Sequence, residues 1–175
     1  MLSQEQTAAV EPICRVMMVI FAALVLGPLF FALIALFIRF TGPEPAIVDS
    51  LDIIVIFGIG LAFLCVMASF IVPRIALKQN ASQTAKKFLG DEIESPEAAQ
   101  GLAQGVLSST IIRLALLEGA IFANLMFFLI QGSIYSLIAA IVLLMIMLLA
   151  VPLPSRVISR VESMFEEAKF LQKTV

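Results

Sequence analysis

Ser108–Ile130, SSTIIRLALLEGAIFANLMFFLI, decides how the rest of the chain is read. At about 1.5 Å of rise per helical residue, the run is long enough to cross a hydrocarbon core of roughly 30 Å. It carries one acid, Glu118, near its middle and one base, Arg113, nearer its start. The remaining sequence reads as a scaffold around this segment.

Composition sets the class. Of 175 residues, 61% are hydrophobic, and the mean hydropathy is +1.08, against roughly 45–50% apolar residues in ordinary soluble domains. An integral membrane protein is expected. Eleven Lys and Arg against thirteen Asp and Glu give a net charge of −2, which argues against a nucleic-acid surface. Histidine and tryptophan are both missing, so the commonest metal ligand and all histidine-based acid–base or triad chemistry are excluded. Neither a nucleophile–base pair nor a metal cluster nor a phosphate loop is visible, so the expectation is a protein that is not an enzyme and carries no metal or cofactor. Cys14 and Cys65 fall at different depths and are poor disulfide partners. Cys14 is juxtamembrane, where acylation is chemically open to it.

Four spans are expected, at about residues 16–38, 51–72, 109–130 and 134–151. Residues 1–15 form an N-terminal segment, 73–107 a polar loop, and 152–175 a tail. The first span contains Gly27-Pro28, where a missing amide hydrogen and a ring clash should kink the helix. Thr41-Gly42-Pro43-Glu44-Pro45 ends it, and Asp49 or Ser50 can cap the second span. In that span Gly58, Ala62, Cys65 and Ser69 form a small-residue stripe for close helix packing. The polar loop should extend the second helix as far as Gly90, pass through Asp91-Glu92-Ile93-Glu94, and restart at Ser95-Pro96-Glu97: cap, proline in the first turn, acid beside it. Gly101 and Gly105 weaken a continuous helix from there into the third span. Gln131-Gly132-Ser133 is short enough to make the third and fourth spans antiparallel neighbours. In the tail, Val157, Val161, Met164, Ala168 and Leu171 form an apolar stripe suited to a membrane surface or to another helix.

Basic residues flanking spans stay on the cytoplasmic side. Ten of the eleven (Arg15, Arg74, Lys78, Lys86, Lys87, Arg113, Arg156, Arg160, Lys169, Lys173) fall on one side of this topology, and Arg39 falls on the other. Both termini and the 73–107 loop are therefore expected in the cytoplasm, with a bacterial inner membrane as the host. The first and third spans also align without gaps at an offset of 92, Ala23–Ile38 against Ala115–Ile130, with six of sixteen positions identical. Duplication would produce this, and so would chance in a small apolar alphabet. In this alignment Leu26 is the counterpart of Glu118.

A charged carboxylate at mid-depth costs at least about 2.5–3.5 kcal/mol on insertion scales, so Glu118 is buried in the bundle, paired or protonated. Arg113 lies five residues away, about 140° around the helix, which makes a local ion pair geometrically poor. It is expected to snorkel toward the cytoplasmic interface. Asn124 adds a second polar group on a different face. Ala115, Gly119 and Ala123 form a small-residue ladder suited to packing. Glu118 is thus the candidate ion-binding residue, set against a purely structural reading in which it hydrogen-bonds a neighbouring helix.

Pro96-Glu97-Ala98-Ala99-Gln100-Gly101 followed by Leu114-Ala115-Leu116-Leu117-Glu118-Gly119-Ala120-Ile121 resembles the polar loop and ion-carrying helix of the proteolipid (c/K) rotor subunits of rotary ATPases. Phe57-Gly58-Ile59-Gly60 is similar to a remnant of that family's glycine-rich first helix. The resemblance covers about Leu51–Ile130 and implies a proteolipid-like subunit in which Glu118 binds a proton or monovalent cation. The chain departs from the family in lacking the long alternating-glycine run, in its longer loop, and in its first and fourth spans. The alternative is a non-catalytic accessory or structural subunit, in which Glu118 serves helix packing. Either reading implies the lipid bilayer as a partner, with a homo-oligomer or larger membrane complex.

Overall fold

The computed structural model describes residues 3–42, 52–88 and 95–173. Five helices account for them: α1 (Gln4–Thr41), α2 (Ile53–Lys87), α3 (Pro96–Gln131), α4 (Ile134–Leu149) and α5 (Pro154–Lys173). The expectation of an all-helical chain holds. α1, α2 and α3 are each long and apolar enough to cross a membrane, and α4 joined with α5 across the break at 150–153 passes the same test, giving three spans or up to four. Alone, α4 has 16 residues, about 24 Å of helix, so the expected span 134–151 is cut short.

The helices extend well past the expected spans. α1 begins at Gln4 because Ser3 and Gln6 form a capping box: the Gln6 amide donates to Ser3 Oγ at 3.2 Å and the Ser3 amide to Gln6 Oε1 at 2.8 Å. Residues 4–15 are therefore the first turns of α1, not a separate segment. α2 continues through Pro73 to Lys87. Ser95 caps α3 as expected, with the Ala98 amide donating to its hydroxyl at 3.2 Å, and the helix runs through Gly101 and Gly105 without interruption. Gly105 faces the Asn80 side chain, which occupies the place where a methyl group would stand. α1 and α3 begin at residues 4 and 96, which keeps the offset of 92 seen in the sequence. The expected caps Asp49 and Ser50, the stop at Gly90, the acidic run 91–94, and the side chains of Leu171 and Lys173 lie outside the described residues.

The chain divides into two compact units. Unit 1 comprises residues 1–21, 71–112 and 152–175. Its core gathers Val10, Cys14 and Met17 of α1, Ala81 of α2, Leu102 and Val106 of α3, and Val161, Met164 and Phe165 of α5. Val157, Val161, Met164 and Ala168 are all buried, so the apolar stripe of the tail is satisfied by helices of its own chain. Cys14, 3% exposed, sits inside this core, where an acyl chain has no room.

Unit 2 comprises residues 22–70 and 113–151. It exposes large apolar side chains along its helices, among them Phe30, Phe37, Phe57, Phe63, Ile141 and Leu149, as surfaces facing lipid do. α3 is its central element: 39% of its span is buried, against 22% for α1 and for α2.

Candidate functional site

Within unit 2, three faces of α3 have separate environments. One lies against α1. There Glu118 Oε1 is 3.4 Å from the point where a Cβ on Gly27 would stand, with the end of the Phe122 ring 3.7 Å from the same point. Phe122 in turn meets Phe31, ring centroids 5.3 Å apart. Glu118 is half-buried and takes part in no hydrogen bond or ion pair among the described residues. The next residue in α1 is Pro28, which has no amide hydrogen, so the Leu24 carbonyl one turn earlier loses its helical donor. The acid therefore stands beside a backbone defect on the facing helix.

The second face lies against α2 and holds Asn124, which is fully buried. Its Nδ2 donates to the Gly58 carbonyl at 3.2 Å and to the Ala120 carbonyl at 2.9 Å. Among the described residues no donor reaches its Oδ1. A methyl at Gly58 would lie 2.9 Å from that Oδ1 and 2.7 Å from the Phe127 ring, so the missing side chain is what lets the helices approach. Phe127 packs edge-on to Phe57, centroids 6.4 Å apart. Ala62 and Ser69 of the same stripe are buried and Cys65 is half-buried, so the small-residue stripe on α2 does face protein. Arg113 also leans to this side, its guanidinium 5.0 Å from the centre of the Phe70 ring of α2, a cation–π contact. Glu118 and Arg113 therefore point to different helices.

The third face is outward. Ala115 and Gly119 are exposed, nothing lies within 4 Å of a Cβ placed on Gly119, and Ala123 is half-buried. The ladder expected to suit helix packing is thus open at Ala115 and Gly119 among the described residues. Leu114, Leu117, Ile121 and Leu125 are all buried, and they turn the 115/119 stripe outward.

The structure brings Glu118 together with Gly27 and Asn124 with Gly58, and it keeps these two polar groups on different interfaces. Sequence reasoning singled out Gly27-Pro28 as a kink but missed it as the surface facing the acid. It also missed Arg39, which is buried at 8% exposure with its guanidinium over the space beside Gly132, a residue of positive φ (68°). A lone base outside a basic-inside topology was the available signal. Ser136, fully buried with no partner for its hydroxyl among the described residues, carried no signal at all.

Among the described residues no group of three His, Cys, Asp or Glu could hold a metal ion. The residue that Glu118 Oε1 approaches on α1 is Gly27, which has no side-chain oxygen to offer an alkali cation. A largely apolar groove of about 490 Å³, lined by residues such as Leu29, Leu33, Leu125 and Leu144, lies among α1, α3 and α4 of the same unit. The chain matches no protein-family model, no curated protein and no solved structure.

Proposed function

We propose that this protein is a four-span integral membrane protein of the bacterial inner membrane, with both termini in the cytoplasm, in which Glu118 is a proton site at the contact between α1 and α3. The observation that carries the reading is the placement of Glu118 Oε1 beside Gly27, next to a proline that leaves a carbonyl without its donor. In lipid an unsatisfied backbone carbonyl costs several kcal/mol. A neutral carboxylic acid has an O–H to offer that carbonyl, and a carboxylate does not. Gain and loss of one proton would then alter how α1 holds to α3. The proton is preferred to a cation because, among the described residues, no cluster of acidic side chains accompanies Glu118. The proteolipid resemblance around Leu114–Ile121 points to the same residue.

A hydrophobic carbodiimide reacts with a protonated acid in an apolar setting, so it tests the reading directly. Modification of the wild-type chain at neutral pH, located to Glu118 by peptide mass and lost in Glu118→Gln, is the expected result. Wild-type protein that stays unlabelled across the accessible pH range would sink the proposal.

The competing reading, an accessory subunit in which Glu118 only packs helices, draws on the same contact with Gly27 and Phe122. It predicts that Glu118→Gln preserves both assembly and activity of the parent complex. The proton reading predicts that assembly persists and activity is lost.

A further inference from the structure

Within unit 2, the carboxylate of Glu118 and the apolar groove among α1, α3 and α4 are neighbours. Two contacts fix how α1 and α3 run beside each other: Glu118 Oε1 lies at Gly27, and Phe122 meets Phe31. Both pairs are 91 positions apart in sequence, so the two helices run in one direction and in register through this stretch. On that register the groove, which α1 lines from Leu26 to Leu36, has its near end level with Glu118. Leu26 and Pro28, the residues on either side of Gly27, both line it. Its lining residues on α3 are Ile121 and Leu125, which lie about 60° and 20° around the helix axis from Glu118. The acid therefore shares the face of α3 that floors the groove and stands one turn before it.

The groove has the dimensions of a ligand site. Its volume of about 490 Å³ falls within the roughly 300–1,000 Å³ usual for small organic molecules. Every residue that lines it is apolar, with Leu137, Ala140, Ile141 and Leu144 forming the wall from α4. Leu29, Leu33 and Ile141 are exposed, so it opens along the side of unit 2. No other charge stands near the acid on the facing elements. α1 from Ala22 to Ile38 and the whole of α4 carry no charged side chain, and Tyr135, the one titratable group of α4, is in its first turn. Arg113 on α3 turns to Phe70 of α2.

One acid beside apolar walls selects a particular chemistry. A metal ion requires several oxygens. An organic cation requires one counter-charge and gains from the burial of its apolar body. An uncharged acyl chain would fit the walls and leave the acid unused.

We propose that the groove and Glu118 together bind a monovalent lipophilic organic cation, its apolar body along Leu33, Leu125 and Leu144 and its charge at the carboxylate. Binding is an exchange: the O–H bond of the neutral acid breaks, its proton leaves for bulk water, and the positive charge of the ligand takes its place. The charge of the site is unchanged, which spares the cost of a lone carboxylate within the membrane. The inference rests on the reading of Glu118 as a proton site.

The test is equilibrium dialysis of the full chain in a neutral maltoside detergent, against protein-free micelles, with radiolabelled tetraphenylphosphonium as the probe. This cation does not titrate, so any pH dependence belongs to the protein. The wild type is expected to bind it saturably, with a Kd that rises about tenfold per pH unit of acidification once Glu118 is protonated, because one proton is displaced. Glu118→Gln should weaken binding about 30-fold or more, the loss that follows removal of one partner of a buried charge pair, and should abolish the pH dependence, which Glu118→Asp should keep. Ala32→Phe, which fills the groove from α1, should weaken binding while Glu118 still reacts with the carbodiimide. Should Ala32→Phe fail to fold, the Gln and Asp variants decide. No saturable binding by the wild type, or equal binding by Glu118→Gln, overturns the proposal. A wild-type dimer that takes no probe and becomes monomeric in Ala32→Phe assigns the groove to a second copy and also overturns it. Carbodiimide labelling separates the two levels: a wild type that never labels refutes the proton site itself, whereas labelling that saturating probe fails to slow refutes only the ligand.

Discussion

Unit 1 and unit 2 differ in what they leave exposed. Unit 1 closes over aliphatic side chains such as Val10, Leu102, Val106 and Val161, all 0% exposed, and turns its charges outward. Unit 2 has an apolar interior at Leu117, Ile121 and Phe128, and both units also bury polar side chains, Gln6, Thr84, Ser109 and Thr110 in unit 1 and Ser69, Asn124, Ser136 and Arg39 in unit 2, but unit 2 leaves Phe57 and Leu149 at 65% and 76% exposure. Water sorts side chains by polarity because apolar area removed from it gains free energy. Lipid does not sort them in this way, since its tails are as apolar as leucine, and helices associate through close approach and the satisfaction of polar groups. α1, α2 and α3 each contribute residues to both units.

Matched truncations break or sharpen that contrast most strongly. Leu102→Ala in unit 1 is expected to lower stability by about 2–5 kcal/mol, the usual loss for a buried leucine. Leu125→Ala in unit 2, at 2% exposure, should cost clearly less, because the transfer from water is missing and only packing is lost. Denaturant unfolding of each variant in one mild detergent measures both, and equal losses would end the distinction.

The next effect compares two glycines two residues apart on α2. Gly58→Ala forces a methyl onto Phe127 and Asn124 and is expected to cost about 1–3 kcal/mol, as overpacking does. Gly60→Ala meets nothing within 4 Å and should be neutral or stabilising, by up to about 1 kcal/mol from helix propensity. Opposite signs of the shift in thermal midpoint are the expected readout.

Asn124→Leu removes the buried hydrogen bond to the Gly58 carbonyl. Interhelical bonds in membranes average about 0.6 kcal/mol and reach about 1.7, so a loss in that range is expected in the same unfolding assay. Smallest of all, Glu11→Gln breaks the exposed pair with Arg15 and should stay within about 0.5 kcal/mol. A larger change would mean that the surface of unit 1 does more than stay wet.

Much of the fold was legible because its signals are local. The third span, the Ser95-Pro96 start and the stripe Gly58/Ala62/Ser69 follow from period and capping chemistry, which depend on neighbours in sequence. The capping box at Ser3 and Gln6 is equally local, and it starts the first helix at Gln4. The candidate site was half legible. Glu118 announces itself as a lone mid-span acid, and its angular separation from Arg113 and Asn124 follows from 100° per residue. That it faces Gly27, that Arg113 turns to Phe70, and that Ala115 and Gly119 look outward could not be read, since an all-apolar helix has no polar side to mark its orientation.

By itself, then, the sequence determined the helical class, the positions of three long apolar segments, the asymmetry of the basic residues and the identity of the one acid within α3. Those properties are set by composition and by spacing along one helix. Tertiary structure decided that the stripe of the tail is buried by its own chain, that Arg39 lies against Gly132, and that the facing surface for Glu118 is a glycine beside a proline. Such pairings depend on which face each helix presents. In a segment that is apolar all round, only packing against a neighbour fixes that face.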